Sequence, residues 1–328
     1  MPVNLKGRSL LTLRHFRAEE IQYLLDSAIE FKKLKSAGVF PKNLKNKNIA
    51  LIFLKPSCRT RTSFLVAAID EGAHLEIFPK DDIRFGIKES TKDIARVLGR
   101  LFDGIAFRGF QHSLVEEIAK YAGIPVWNGL CDMYHPTQAL ADLMTIKEEF
   151  GRIEKIKLTY VGDGRNNVVN SLIISSLKMG LHFSIVAPRS LLPQEDFIKQ
   201  VTEETKKTEG LVRGSVEYTD DIKKGVIDSD VIYSDVWVSM GEENLIEERL
   251  ALLKDYKITQ KMMKLTGKPG TIFLHCMPAL HDMNTEISQK YPDILEVDDD
   301  VFESTQSRVF NQAENRMHTI KALMVATI

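Results

Sequence analysis

Cysteine is scarce in this chain of 328 residues. Cys58, Cys131 and Cys276 are odd in number and widely separated, so they define no disulfide framework. No CxxC and no Cys/His spacing of a metal site occurs, and no metal is expected. A surplus of one charge is also missing, since 44 Lys and Arg stand against 45 Asp and Glu, a formal net charge of −1. A general nucleic-acid binder carries a basic excess, so that class is set aside. No apolar run approaches the roughly 18 residues that a membrane span needs. The opening MPVNLKGRSLLTL lacks the long apolar region of a secretory signal. Repeats, low-complexity tracts and Pro- or Gly-rich linkers are absent too. The expectation is a soluble, reduced, cytoplasmic protein.

What is present is a core and a rhythm. Hydrophobic residues make up 44% of the chain, and its length fits two domains. A helical stripe runs through Ile21, Leu24, Leu25, Ala28 and Phe31. Short apolar strands then alternate with helices. NIALIF leads to a helix in TSFLVAAIDEG, HLEIF to KDIARVLGRLFD, GIAFR to SLVEEIAKYAG, and IPVWN to the longer PTQALADLMTIKEEFG. A second series follows through KIKLTYVGD, NNVVNSLIISSLKMG, LHFSIVAP, a charged helix near 194–209, SVEYTDD, VIYSDVWV and TIFLHCMP. This order predicts an α/β fold of two domains, each with a parallel sheet flanked by helices. A helical connection at 136–150 joins them. The expected boundaries are 1–150 and 151–311. The final stretch reads as an amphipathic helix with Met317, Ile320, Met324 and Val325 on one side.

Polar clusters fall at the carboxyl ends of the strands, where open α/β sheets bind ligands. The first is KPSCRTR, placed between a strand and a helix. Backbone N–H groups, the positive end of the helix dipole and two arginines suit it to a phosphate, although a charged helix cap would look the same. GxxxxGKS/T is missing, so it is not a P-loop, and without GxGxxG a Rossmann-type dehydrogenase is disfavoured. Arg108 in FRGF, and His135 and Gln138 in HPTQ, sit at two further strand ends. Alone, the first fits a surface arginine and the second a turn residue. GDGRNN offers Asn166 and Asn167 at a helix start, SDVWVSMGEE offers Asp235 and Ser239, and LHCMP offers Cys276, a residue type that is usually an inert small hydrophobe. The first half thus gathers donors for an anion. The second supplies groups suited to an amino acid's ammonium and carboxylate.

Taken in order, KPSCRTRTSF, GIKESTKDIARVLGR, FRG, HPTQALADLMT, VGDGRNN, SDVWVSMGE, LHCMPALHD and QAENRMHTIKALMVAT make the chain resemble the ornithine carbamoyltransferases, within the aspartate/ornithine carbamoyltransferase superfamily. The resemblance covers nearly the whole chain. It implies transfer of a carbamoyl group from carbamoyl phosphate to the δ-amino group of L-ornithine, giving L-citrulline and phosphate, or the reverse in arginine breakdown. No cofactor is implied. The phosphate loop maps onto Ser57, Cys58, Arg59, Thr60 and Arg61. Arg108, His135, Gln138 and Arg316 fall near the carbamoyl end and phosphate, with Cys276 and Met277 from the HCxP loop. Asn167, Asp235, Ser239 and Met240 fall on the ornithine side. Arg59, Arg108, His135, Cys276 and Arg316 are the residues implied for catalysis. Asp235 with Cys276 is expected to orient ornithine and help keep its attacking amine unprotonated. The resemblance also implies that the C-terminal helix, about 312–328, returns to the first domain, and that the chain forms a homotrimer or a higher assembly of trimers with shared sites.

Two residues depart from the family pattern. Cys58 stands where a threonine is usual, and a thiol is a weaker hydrogen-bond donor than a hydroxyl. Arg84 replaces a glutamine just before the GxKES loop, which in the family reaches a neighbouring subunit's site, and Arg84 is expected to contact phosphate there; Lys88 in that loop matches. A carbamoyltransferase for another acceptor, such as putrescine or an acylated ornithine, is the nearest alternative, and the SMG and HCxP segments argue against it. A non-catalytic ligand sensor is a second alternative, opposed by the retention of nearly all phosphate and ornithine groups.

Overall fold

The computed structural model describes residues 3–80, 82–83, 85–238 and 242–328. The chain divides into two compact units, one running to Met144 and taking back Glu314–Ile328, the other spanning Thr145–Ala313.

The first unit opens with α1 (Ala18–Ser36), then alternates β1 (Asn48–Phe53), α2 (Cys58–Asp70), β2 (His74–Pro79), α3 (Thr91–Leu101), β3 (Gly104–Arg108), α4 (His112–Ala122) and β4 (Val126–Leu130), and ends within α5 (Pro136–Phe150), whose last residues belong to the second unit. Its strands are parallel in the order β2-β1-β3-β4. β1 and β3 read as unbroken apolar runs because helices cover both faces, whereas the edge strand β2 is only partly buried. Ala50, Ile52, Ile105, Phe107 and Val126 pack with Ala95 and Leu98 of α3 and Val115 and Ile118 of α4. Burying a side chain such as Phe107 contributes about 1.5–3 kcal/mol. The order reverses between β1 and β3, so the crevice at their carboxyl ends is the switch point of the sheet. Phe53 lies opposite Arg108 there, and an irregularity after Phe107 pairs Arg108 with Leu130 of β4.

The second unit continues with β5 (Lys157–Val161), α6 (Asn167–Met179), β6 (His182–Val186), α7 (Glu195–Glu209), β7 (Ser215–Thr219), α8 (Ile222–Val226), β8 (Val231–Ser234), α9 (Ile246–Leu253), α10 (Gln260–Leu265), β9 (Ile272–His275), α11 (Glu286–Lys290) and α12 (Asp299–Phe302). The parallel order is β7-β6-β5-β8-β9, with its switch between β5 and β8. There the Ser234 hydroxyl donates to the Val161 carbonyl at 3.0 Å. α6 is buried from Val168 to Met179 apart from Asn170, including the polar Ser171, Ser175, Ser176 and Lys178 beside its apolar residues.

The last helix, α13 (Val309–Thr327), returns to the first unit as expected. Trp127 Nε1 donates to Thr327 Oγ1 at 3.0 Å, and Lys321 Nζ reaches Asp70 Oδ2 at 2.8 Å. Trp127 also lies over Gly104, where a Cβ would come within 2.3 Å of the indole. The amphipathic expectation fails for this helix. Asn315, Arg316, His318, Thr319 and Lys321 are buried alongside Ile320 and Met324, and each of these side chains makes at least one hydrogen bond in the first unit or in the helix itself.

Candidate active site

The segment expected to bind phosphate is already helical. TSFLVAAIDEG predicts a start near Thr62, yet α2 begins at Cys58, and Ser57 is its N-cap with Oγ accepting from Thr60 N at 3.2 Å. Cys58, Arg59, Thr60 and Arg61 therefore form the first turn, where amides and dipole favour an anion. Cys58, Arg59 and Arg61 are exposed, while Thr60 is fully buried. A Cβ at Gly129 of β4 would lie 3.0 Å from Thr60 Cγ2, so the glycine allows this turn to settle onto the strand.

The Thr60 hydroxyl is where three elements meet. Arg316 of α13 donates to it at 2.7 Å, and Arg108 at the end of β3 donates at 3.4 Å. Two buried guanidinium groups converging on one neutral oxygen make a strongly cationic point. His135 is buried beside them. Burial pushes its imidazole well below the usual value, and the Arg316, Arg108 and Arg59 charges push it further, so it is neutral at physiological pH. Thr137 Oγ1 lies 3.4 Å from His135 Nδ1. Gln138 Nε2 donates to Asp142 Oδ1 at 2.8 Å, and its buried Oε1 has no hydrogen-bond partner among the described residues.

In the second unit, the ends of β5, β8 and β9 carry a different chemistry. Asn166 caps α6, accepting from Val169 N at 2.9 Å, and its Nδ2 donates to the Tyr160 hydroxyl at 2.7 Å. Burial pushes the Tyr160 phenol well above its usual value, and the Asp235, Asp163 and Cys276 groups around it act the same way. Asp235 Oδ1 accepts from Val236 N at 2.9 Å. Asn167 occupies the first position of α6. Cys276 is buried just past β9, and Met277 follows with a left-handed φ of 56°. That conformation is held by Met277 N donating to His275 Nδ1 at 3.0 Å. His275 Nε2 lies 3.1 Å from Glu296 Oε1, and that oxygen accepts from Leu280 N at 2.6 Å. Burial raises the Glu296 carboxyl from 4.5 to about 8.

The structure thus brings Thr60, Arg108, His135 and Arg316 together in one unit, with Gln138 on the first turn of α5. In the other, Asp235 and Cys276 meet around Tyr160. Arg84, Ser239 and Met240 lie outside the described residues. Sequence reasoning missed Tyr160, Thr137 and the His275–Glu296 pair. A histidine directly before the candidate cysteine was the available signal for that pair, whereas nothing around Glu296 announces its burial. Among the described residues His281, Asp299 and Glu303 have ligand atoms within 4.8 Å of one another, but His281 Nδ1 already pairs with Asp299 Oδ1 at 2.7 Å.

Comparison with known proteins agrees with this geometry. Residues 8–148 match the carbamoyl-P binding domain of the aspartate/ornithine carbamoyltransferases, and residues 154–327 match their Asp/Orn binding domain. The chain is 58% identical over 325 residues to "Ornithine carbamoyltransferase 2, anabolic" of Pseudomonas savastanoi pv. phaseolicola, covering 99% of this chain and 98% of that one. It is 54% identical over 332 residues to "Ornithine carbamoyltransferase, catabolic" of Staphylococcus aureus strain MSSA476, covering 100% and 98%. The solved ornithine carbamoyltransferase of Pyrococcus furiosus superposes with a TM-score of 0.90 at 41% identity, covering 99% of this chain and 98% of that one. The chain belongs to the aspartate/ornithine carbamoyltransferase family.

Proposed function

We propose that this protein is an ornithine carbamoyltransferase, transferring the carbamoyl group of carbamoyl phosphate to the δ-amino group of L-ornithine to yield L-citrulline and phosphate, with the reverse reaction open to the same residues. The Thr60 hydroxyl carries the reading. Its oxygen accepts from Arg108 and Arg316, so the hydroxyl hydrogen remains to donate toward a bound anion.

The first unit takes carbamoyl phosphate. The amides at the start of α2, with Ser57, Cys58, Arg59 and Arg61, receive the phosphate. Thr60, Arg108 and His135 donate to the carbonyl oxygen as it gains negative charge. A neutral His135 is suited to this, since it supplies a donor without adding a further positive charge to two arginines. Gln138 Oε1 accepts from the carbamoyl amide, and Arg316 holds the anion from α13. In the second unit Asn167, Asp235, Ser239 and Met240 take the amino-acid end of ornithine, and Cys276 with the Met277 carbonyl lies toward its side chain. The neutral amine attacks, a tetrahedral oxyanion forms, and phosphate leaves. Holding two substrates in register supplies several kcal/mol of the barrier reduction.

The family resemblance supports a homotrimeric assembly in the cytoplasm. Among the described residues no helix is long and apolar enough to cross a membrane. The decisive measurement is citrulline formation from carbamoyl phosphate, with ornithine and putrescine compared as acceptors. Turnover with ornithine is expected, and none with either amine would refute the proposal. Strong sigmoidality in carbamoyl phosphate would mark a catabolic enzyme.

A further inference from the structure

The sulfur of Cys131 lies one residue past β4 and is fully buried, in polar surroundings. Asn128 Nδ2 donates to it at 3.3 Å, and so does the backbone N–H of Tyr134 at 3.3 Å. His112 Nδ1 stands 3.4 Å away, and the Tyr134 carbonyl is 3.6 Å away. The Cys131 N–H closes the same turn by donating to that carbonyl at 2.9 Å. Burial pushes the thiol above its usual value, which keeps it protonated and able to donate as well as accept.

Each partner of the sulfur is itself anchored. Asn128 Nδ2 also donates to the Leu11 carbonyl at 2.9 Å. His112 opens α4, its backbone N–H donating to Asp132 Oδ1 at 2.9 Å, and its ring meets Tyr134 edge-on at 4.8 Å. The Tyr134 hydroxyl accepts from Arg14 Nη1 at 3.1 Å. The amide held by the sulfur belongs to the residue directly before His135. His135 in turn stands directly before α5, its carbonyl accepting from Gln138 N at 3.0 Å and Ala139 N at 3.2 Å.

We propose that Cys131 is a positioning residue for the transfer reaction: by accepting the Asn128 and Tyr134 N–H groups, its sulfur fixes the β4–α5 turn and sets His135 against the carbamoyl group. The inference rests on the role given to His135 above. Sulfur suits the position because its hydrogen bonds run 3.3–3.6 Å here, longer than the roughly 2.9 Å of an oxygen acceptor. One atom therefore spans a donor on the strand and a donor on the turn.

The test uses full-length enzyme and follows citrulline formation, with a melting curve for each variant. Cys131→Val keeps much of the volume but accepts no hydrogen bond. It should lower kcat at least about tenfold through misplacement of His135, with KM for ornithine within about twofold. Cys131→Ser keeps an acceptor of shorter reach and should lose only about two- to threefold. In a His135→Asn background neither substitution should lower kcat further. Wild-type kcat in Cys131→Val, or an equal loss with and without His135, overturns the proposal. If Cys131→Val does not melt cooperatively, Cys131→Ser decides: its loss must appear with His135 present and vanish in His135→Asn, and any other pattern is a refutation. Wild-type enzyme that makes no citrulline would defeat the activity itself, whereas active wild type with undiminished Cys131→Val defeats this inference alone.

Discussion

The strand ends of the two units solve opposite electrostatic problems. In the first, the charges are guanidinium groups, which stay ionised at any physiological pH, and His135 among them is held neutral by burial and by those charges. In the second, burial acts on acids: Tyr160 and Glu296 are both pushed toward their protonated forms. A fixed cationic site suits a substrate whose negative charge grows and departs as phosphate. A site of carboxylates, a thiol and neutral acids suits an amine that must be held and then react unprotonated. The first unit's chemistry should therefore respond to deletion of charge, and the second unit should carry the pH dependence.

Deleting charge from the first unit is the severest way to break this contrast. Arg108→Ala and Arg59→Ala are each expected to lose at least about 100-fold in turnover, the scale of removing one oxyanion donor. Arg108 makes the buried contact to Thr60 and Arg59 adds its charge at the exposed helix start, so both ends of the anion are tested. Steady-state kinetics on the purified variants checks this. Near-normal turnover in both would remove the roles assigned to them.

How much of this contrast the sequence displays differs between its parts. Strand-end clusters were legible because apolar runs stop abruptly at donors, as β1 does before Ser57 and β3 at Arg108. The start of α2 was not, since the apolar periodicity that betrays a helix begins only with Phe64, while the cap that begins the helix is a single serine. Apolar positions of α13 showed in the sequence as Met317, Ile320 and Met324. Its buried polar residues did not show, because their partners are remote: Arg316 meets Thr60 and Lys321 meets Asp70, some 250 residues earlier in each case. Sheet order is equally hidden, as the reversal between β1 and β3 depends on crossovers that no local pattern records. Glu296 follows the same rule, being a charged residue whose burial exists only once Leu280 and His275 fold against it.

That last residue sharpens the contrast through pH. The folded protein holds the Glu296 proton far more tightly than the unfolded chain, with a value of about 8 against 4.5. The stability gained is complete below the unfolded value and is lost as pH rises through about 8. Its full extent is on the order of 5 kcal/mol. Glu296→Gln keeps the shape and removes the proton, so the variant should lack this loss. Melting temperatures of wild type and variant, recorded from about pH 5 to pH 9, should draw apart as the wild type falls with rising pH. Parallel curves would show that the carboxyl does not titrate in this range.

Cys58 offers the mildest test, and the one most particular to this chain. It stands in the first turn of α2, where the family carries threonine, and a thiol donates poorly. If the phosphate were gripped mainly by this side chain, the substitution in nature would have weakened the site, and Cys58→Thr should raise affinity for carbamoyl phosphate sharply. The structure argues otherwise. Cys58 is exposed, while the backbone N–H groups of the turn are oriented by the helix whatever side chain it bears, and the cationic groups nearby come from Arg59, Arg108 and Arg316. Helix amides and guanidinium groups together outweigh one hydroxyl contact, whose net worth is about 0.5–1.5 kcal/mol. Cys58→Thr should accordingly change KM for carbamoyl phosphate by no more than about tenfold, the span of that hydroxyl, and leave the melting temperature unmoved. A larger gain in affinity would mean that side chains, not the helix terminus, hold the phosphate.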